Sequence, residues 1–89
     1  MSKFILFYWS KGAEMRVKIL NEIALCEKAK KPCYLNQVAE KLKVSHVAVK
    51  KHLDLMVEEG FVSEINPGGK PVFLQLTDSG NSVMKEFKK

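Results

Sequence analysis

Histidine, cysteine and serine are the side chains of this sequence whose chemistry could support catalysis. Ser45 and His46 are neighbours, but two adjacent positions of a helix cannot form a nucleophile, a base and an orienting group without a third partner. The sequence contains no glycine-rich phosphate loop and no paired carboxylates. It therefore predicts a protein that is not an enzyme and that has no cofactor.

The histidines and cysteines also make a poor set of metal ligands. His46 and His52 would point to different faces of a helix, and Cys26 and Cys33 would need outside ligands to complete a zinc site. No metal site is expected. The two cysteines fit either small buried hydrophobic residues or a disulfide, formed as Cys26–Cys33 or between subunits, and both interpretations stay open.

The charge balance favours a polyanionic partner, with nucleic acid as the first candidate. The 89 residues include 15 lysines and arginines against 10 aspartates and glutamates, a net charge of +5. A soluble lysine-rich surface would give the same balance. The longest apolar run, residues 4–9, is far shorter than the ~20 residues of a membrane span. We expect no membrane partner and a cytoplasmic location.

Apolar periodicity predicts the elements that position these side chains. The pattern favours a first helix at residues 13–29, then a short extended piece at 33–35. Asn36 is expected to cap a second helix, and Ser45 to cap a third. Gly60 is placed to end that third helix in the left-handed conformation.

Beyond Gly60 the apolar pattern alternates, as it does in a β-strand. Strands at 61–65 and 72–76 would form a hairpin around the turn residues Asn66 to Gly69. Thr77 is expected to cap a last helix. The chain is long enough for one small domain.

These segments, in this order, resemble the winged helix-turn-helix domain of ArsR-like and MarR-like transcriptional regulators. The resemblance rests on Leu35-Asn36, Val38 to Leu42, Val44-Ser45, Val49 to Leu53, Glu59 to Val62, and Leu76 to Gly80, and with the first helix it covers about residues 12–88. It implies an α+β fold, mainly α, in one domain over residues 1–89. The parts would be an N-terminal segment (1–11), the helix-turn-helix (35–60), the wing (61–76) and a closing helix (77–88).

The resemblance implies a regulator of archaeal or viral type that binds specific double-stranded DNA. Its third helix would enter the major groove, and its wing would lie on the backbone or the minor groove. The residues expected at the DNA are Ser45, His46, Val47, Lys50, Lys51, Asn66 and Lys70. Val47 is expected either to meet a thymine methyl group or to pack at the edge of the core.

The N-terminal aromatic run suggests a homodimer. Exposed, such a run would be an aggregation site, so burial against a second subunit is expected, unless the run covers the core of its own chain. The expected interface consists of Phe4, Leu6, Tyr8, Trp9, Val83, Met84 and Phe87. A two-fold dimer would place its recognition helices ~34 Å apart, one turn of DNA.

Two other functions remain open. The protein could coat DNA without sequence preference at the nucleoid, or it could be a winged helix that contacts only other proteins. No residues of a small-molecule effector pocket stand out. The expected location is the cytoplasm, at the nucleoid, or the host cytoplasm if the source is a virus.

Overall fold

Four helices and a two-stranded antiparallel sheet make up the part of the chain that the structure describes. A computed structural model describes residues 12–66 and 72–87, so the predictions for residues 1–11 and for Lys70 lie outside it. The elements are α1 (Ala13–Lys28), α2 (Leu35–Leu42), α3 (His46–Glu58), β1 (Val62–Glu64), β2 (Leu74–Leu76) and α4 (Asp78–Phe87). This is the predicted winged helix-turn-helix, an α+β fold that is mainly α.

Local side-chain chemistry sets the ends of α3 and the start of α4 as predicted. The Ser45 hydroxyl oxygen accepts a hydrogen bond from the Ala48 amide at 3.1 Å. Gly60, with φ of +86°, lies in the left-handed region just past the end of α3. The Thr77 hydroxyl oxygen accepts from the Gly80 amide at 3.1 Å. These three predictions are confirmed.

The prediction that Asn36 caps α2 is wrong. The N-cap is Tyr34, whose backbone is extended and whose side chain makes no cap hydrogen bond. Tyr34 forms an isolated antiparallel bridge with Phe73, and the two rings lie 5.0 Å apart between centroids. Because this bridge holds the chain extended up to Tyr34, α2 begins at the next residue, Leu35. The extended piece therefore ends at Tyr34 and is shorter than the predicted 33–35.

The wing hairpin packs as the alternating pattern predicts. β1 and β2 pair in the register Val62↔Leu76, Ser63↔Gln75 and Glu64↔Leu74. On β2 the two leucines are buried and Gln75 is exposed. The Leu74 amide also donates to the Cys33 carbonyl at 2.9 Å, so the segment before α2 lies on the other edge of β2. The strands are shorter than the predicted 61–65 and 72–76.

One hydrophobic core joins all the elements. Val49, Leu53 and Met56 recur at helical spacing in α3 and have no exposed surface, so they form the inner face of that helix. The other buried core residues are Ile19, Leu20, Ile23, Cys33, Val38, Ala39, Phe61, Val62, Leu74, Leu76, Val83 and Met84. Within residues 12–66 and 72–87, no helix has both the length and the hydropathy that a bilayer crossing requires.

Candidate nucleic-acid interface

The N-terminal half of α3 presents a polar and basic face outward. Its inner face is held in the core by Val49 and Leu53, so the helix cannot rotate without exposing them. The opposite face, together with the cap, is exposed and consists of Ser45, His46, Val47, Lys50 and Lys51. The structure thus brings together five of the residues expected at DNA. We call this set the α3 face.

Val47 does not pack at the edge of the core. It is 71% exposed, more than Leu25 or Ile65, the other exposed large hydrophobic side chains among the described residues. It borders a shallow depression that is also lined by Leu35, His46, Lys50 and Lys51. Of the two positions the sequence allowed for Val47, the structure therefore shows the exposed one.

Lys50 has a partner that was not predicted from the sequence. Its Nζ lies 2.7 Å from Oδ1 of Asp54, one helical turn away, and both side chains are more than half exposed. The hydrogen bond to Asp54 raises the pKa of Lys50 above its usual value. Positions i and i+4 of a helix are neighbours, so the sequence spacing could have predicted the pair. Such exposed pairs contribute ~0–1 kcal/mol, and a phosphate can compete for the lysine.

Asn66 has a structural role at the base of the wing. Its Oδ1 accepts a hydrogen bond from the Phe73 amide at 2.8 Å, which ties the end of the first wing strand to the start of the second. An anionic phosphate needs a donor, so a phosphate contact would have to use the amide nitrogen of the side chain. That contact stays a prediction. Lys70 lies outside the described residues.

His52 lies behind the α3 face, against the start of α1. The ring is half-buried, and a Cβ atom built on Gly12 would come within 2.7 Å of its Cε1. Burial lowers the pKa of His52, and the positive charges of Arg16 and Lys51 lower it further. The lowered pKa favours the neutral ring, and the ring packs α3 against the start of α1.

The two cysteines are free thiols close to each other. Cys33 is buried, and Cys26 is half-buried and accepts a hydrogen bond from the Gln37 side chain at 3.8 Å. The pKa of the Cys33 thiol is raised, mainly by burial and further by a hydrogen bond with Cys26. The disulfide stays a prediction. Among the described residues no cluster of three or more histidine, cysteine, aspartate or glutamate side chains could hold a metal ion.

The closing helix buries residues that were expected at a dimer interface. Val83 is 1% exposed and Met84 5%, and both belong to the core of this chain. The prediction for Val83 and Met84 is corrected, because α4 packs its apolar face against α1 and both side chains are buried within the same chain. Phe4, Leu6, Tyr8 and Trp9, and the side chain of Phe87, lie outside the described part.

Solved structures confirm the fold. AF1382 from Archaeoglobus fulgidus superposes with a TM-score of 0.78 at 21% identity, covering 97% of this chain and 89% of its own. A mutant of MarR from E. coli, complexed with operator DNA, gives a TM-score of 0.66 at 23% identity and covers 81% of this chain. A double mutant of ZitR from Lactococcus lactis gives 0.68 at 26% identity and covers 89%.

This chain spans 50% of the MarR chain and 52% of the ZitR chain, about half of each. No curated protein matches it in sequence. A family model described as bacterial regulatory protein, arsR family, matches residues 14–64, from the first turn of α1 to the end of β1. That match takes in more than half of the sequence and the whole helix-turn-helix, and the chain therefore belongs to the arsR family of bacterial regulatory proteins.

Proposed function

We propose that this family member binds specific sequences of double-stranded DNA as a homodimer and regulates transcription. One observation carries the proposal. The inner side of α3 is locked in the core by Val49, Leu53 and Met56, while the α3 face is exposed from its N-cap onward. A helix held in this way can enter the major groove, which is ~12 Å wide, with its first turns against the base edges.

The side chains of the α3 face suit both contacts with phosphates and contacts with base edges. Lys50 and Lys51 can reach phosphates or guanine edges, and His46 can donate to or accept from a base. The first N–H groups of a helix lack partners within the helix, and the Ser45 hydroxyl takes that of Ala48, so a phosphate near Ser45 would be stabilised by the others. The MarR mutant with a similar fold was solved with operator DNA, which supports the same class of ligand here.

The wing would add contacts to the DNA backbone. Lys70 follows Gly68 and Gly69 in the sequence. Because glycine has no side chain, these two neighbours would not hinder the approach of Lys70 to a phosphate. A phosphate contact fixes the position of the protein but selects no base. Lys70, with Asn66, would therefore anchor the protein, and the α3 face would supply the specificity.

The homodimer is proposed from the aromatic N-terminal run and from DNA geometry. The run Phe4-Ile5-Leu6-Phe7-Tyr8-Trp9 is too apolar to be left in water, and a second subunit could cover it together with Phe87. A two-fold dimer would present two α3 faces ~34 Å apart to the two halves of a pseudo-palindrome. The expected place of action is the cytoplasm, where the genome lies.

Selection from a pool of random duplexes tests the proposal. The full chain should enrich one pseudo-palindromic sequence, and the selected duplex should compete far better than random DNA. Equal competition by random DNA would instead indicate a nonspecific nucleoid protein. If no duplex is bound even at low salt, the protein does not bind DNA, and the winged helix would serve protein contacts. Sedimentation of the free protein and of the complex tests the dimer.

A further inference from the structure

The apolar side chain of Val47 is not explained by the fold of this chain. It projects from the first turn of α3 with 71% of its surface exposed, and it does not join the core. Beside it, Leu35 at the start of α2 packs against the core and is half-buried. The two side chains line one depression, so an anchored apolar surface and an exposed apolar tip face the same small space.

The surroundings of this depression suit DNA more than an apolar protein surface. Its remaining lining comes from His46, Lys50 and Lys51, and the two lysines are exposed. A hydrophobic protein partner would have to strip water from these charges at a cost. A DNA duplex instead offers phosphates to the lysines. It also offers one apolar group on its base edges in the major groove, the 5-methyl group of thymine.

We propose that Val47, backed by Leu35, contacts the 5-methyl group of a thymine and so specifies one A·T base pair in each half of the DNA site. The inference rests on the proposed function and adds a residue-level basis for base selection. A branched side chain suits this role because its χ1 rotation is restricted in a helix, so little freedom is lost on contact. The two lysines at the rim would hold the phosphates and fix the approach.

The orientation of the base pair is also specified by this contact. The methyl group lies on the thymine side of the major groove, so reversing the pair from T·A to A·T moves it away from Val47. The protein should therefore discriminate against the reversed pair as well as against G·C. A contact with phosphates alone would make no such distinction.

Replacement of single thymines by deoxyuridine tests the inference, because it removes one methyl group and keeps every hydrogen-bonding group. The probe is the duplex selected from the random pool, with each thymine replaced in turn. We expect one thymine in each half-site whose replacement weakens binding by about 3- to 10-fold, the range for loss of one buried methyl contact.

The variant Val47→Ala identifies the protein side of the contact. It should bind the thymine duplex about 3- to 10-fold more weakly than the native protein. It should also lose the discrimination between thymine and deoxyuridine at that position. Leu25→Ala is the matched control, since Leu25 is a large apolar side chain on α1 that is 46% exposed. It should leave both affinity and discrimination unchanged.

The outcomes separate this inference from the proposed function. If selected DNA is bound but no single deoxyuridine weakens binding, or if Val47→Ala discriminates as well as the native protein, the thymine contact is overturned and the proposed function stands. If no duplex is bound at all, both fail. Because Val47 is exposed and alanine is the better helix former, its replacement should leave the urea unfolding curve unchanged or shift it to slightly higher urea, which excludes unfolding as the cause of weaker binding.

Discussion

The Glu27 carboxylate near the end of α1 accepts a hydrogen bond from the backbone amide of Leu76 in β2, at 2.7 Å. The two residues are 49 positions apart, so the bond joins the first helix of the domain to the last strand of the wing. β1 pairs with the opposite edge of the same strand. The position of the wing relative to the helices therefore depends in part on one acidic side chain.

Glu27→Ala should lower the free energy of unfolding by about 1 kcal/mol, because it leaves the Leu76 amide without its acceptor. Urea unfolding followed by circular dichroism measures the change. Glu40→Ala, at an exposed carboxylate on α2, is the control and should have an effect of less than about 0.5 kcal/mol. Equal effects of the two variants would show that the hydrogen bond between Leu76 and Glu27 does not add to the free energy of unfolding.

Gly80→Ala should be destabilising although it places a better helix former in α4. A Cβ atom at this position would overlap the carbonyl oxygen of Phe61, where α4 crosses the start of the wing. The overlap should cost about 1–3 kcal/mol, against a gain of ~1 kcal/mol in helix propensity.

Thermal unfolding distinguishes the two effects in α4. Asn81→Ala, at the next and exposed position, should keep or raise the melting temperature, because there only propensity changes. A higher melting temperature for Gly80→Ala would contradict the close approach of Gly80 to Phe61.

Stability should fall with pH below about 6.5 because of His52. Burial, Arg16 and Lys51 lower the pKa of His52 in the folded state, so the unfolded chain takes up a proton at a higher pH than the folded chain does. The contribution of His52 to the free energy of unfolding is therefore fully present above its unfolded pKa of about 6.5. It is lost as the pH falls through the pKa of the folded state.

Urea titrations between pH 5 and pH 8 measure the contribution of His52. His52→Gln, which cannot titrate, should reduce the slope of the unfolding free energy against pH below about pH 6.5. His46→Gln, at the exposed start of α3, is the matched control for the loss of a histidine. The same slope in all three proteins would rule out His52 as its source.

Lys50→Ala with Lys51→Ala should weaken duplex binding and reduce the salt dependence by about two charges, because each lysine at a phosphate releases counterions. Lys18→Ala with Lys28→Ala removes the same net charge from exposed positions of α1 and should change both quantities less. Unchanged affinity of the first variant would remove these lysines from the interface.

Asp54→Ala tests the competition for Lys50. It frees the ammonium group from its ion pair and removes a negative charge from α3, so duplex affinity should rise. Fluorescence anisotropy at several salt concentrations measures the effect. Lower affinity would show that the Lys50–Asp54 pair holds the lysine in its binding position.

Cys26 should react with iodoacetamide well before Cys33 in the folded protein. Cys33 is buried and its thiol pKa is raised, so both access and thiolate formation are restricted. Mass spectrometry of timed digests gives the two rates, and unfolding in urea should make them similar. Faster labelling of Cys33 would contradict its burial. A Cys26–Cys33 bridge, the alternative that the sequence left open, would appear on oxidation as a loss of about two mass units and of both labelling sites.

The sequence by itself determined the features that depend on neighbours within one or two turns of chain. The caps at Ser45 and Thr77 and the left-handed Gly60 follow from side-chain and backbone chemistry confined to a few residues. The buried face of α3 follows from helical spacing, and the alternation of β2 from strand spacing. The outward positions of His46, Lys50 and Lys51 follow from the same helical spacing, because the buried face leaves these positions to solvent.

Only the tertiary structure decided which distant residues meet. The bridge between Tyr34 and Phe73 moves the start of α2, and α1 takes the apolar face of α4, so Val83 becomes core. The tertiary structure also decided that Val47 is exposed, because helical spacing alone allowed either an exposed position or one at the edge of the core. No local pattern specifies such contacts, because their energy comes from surfaces that become neighbours only when the chain is packed.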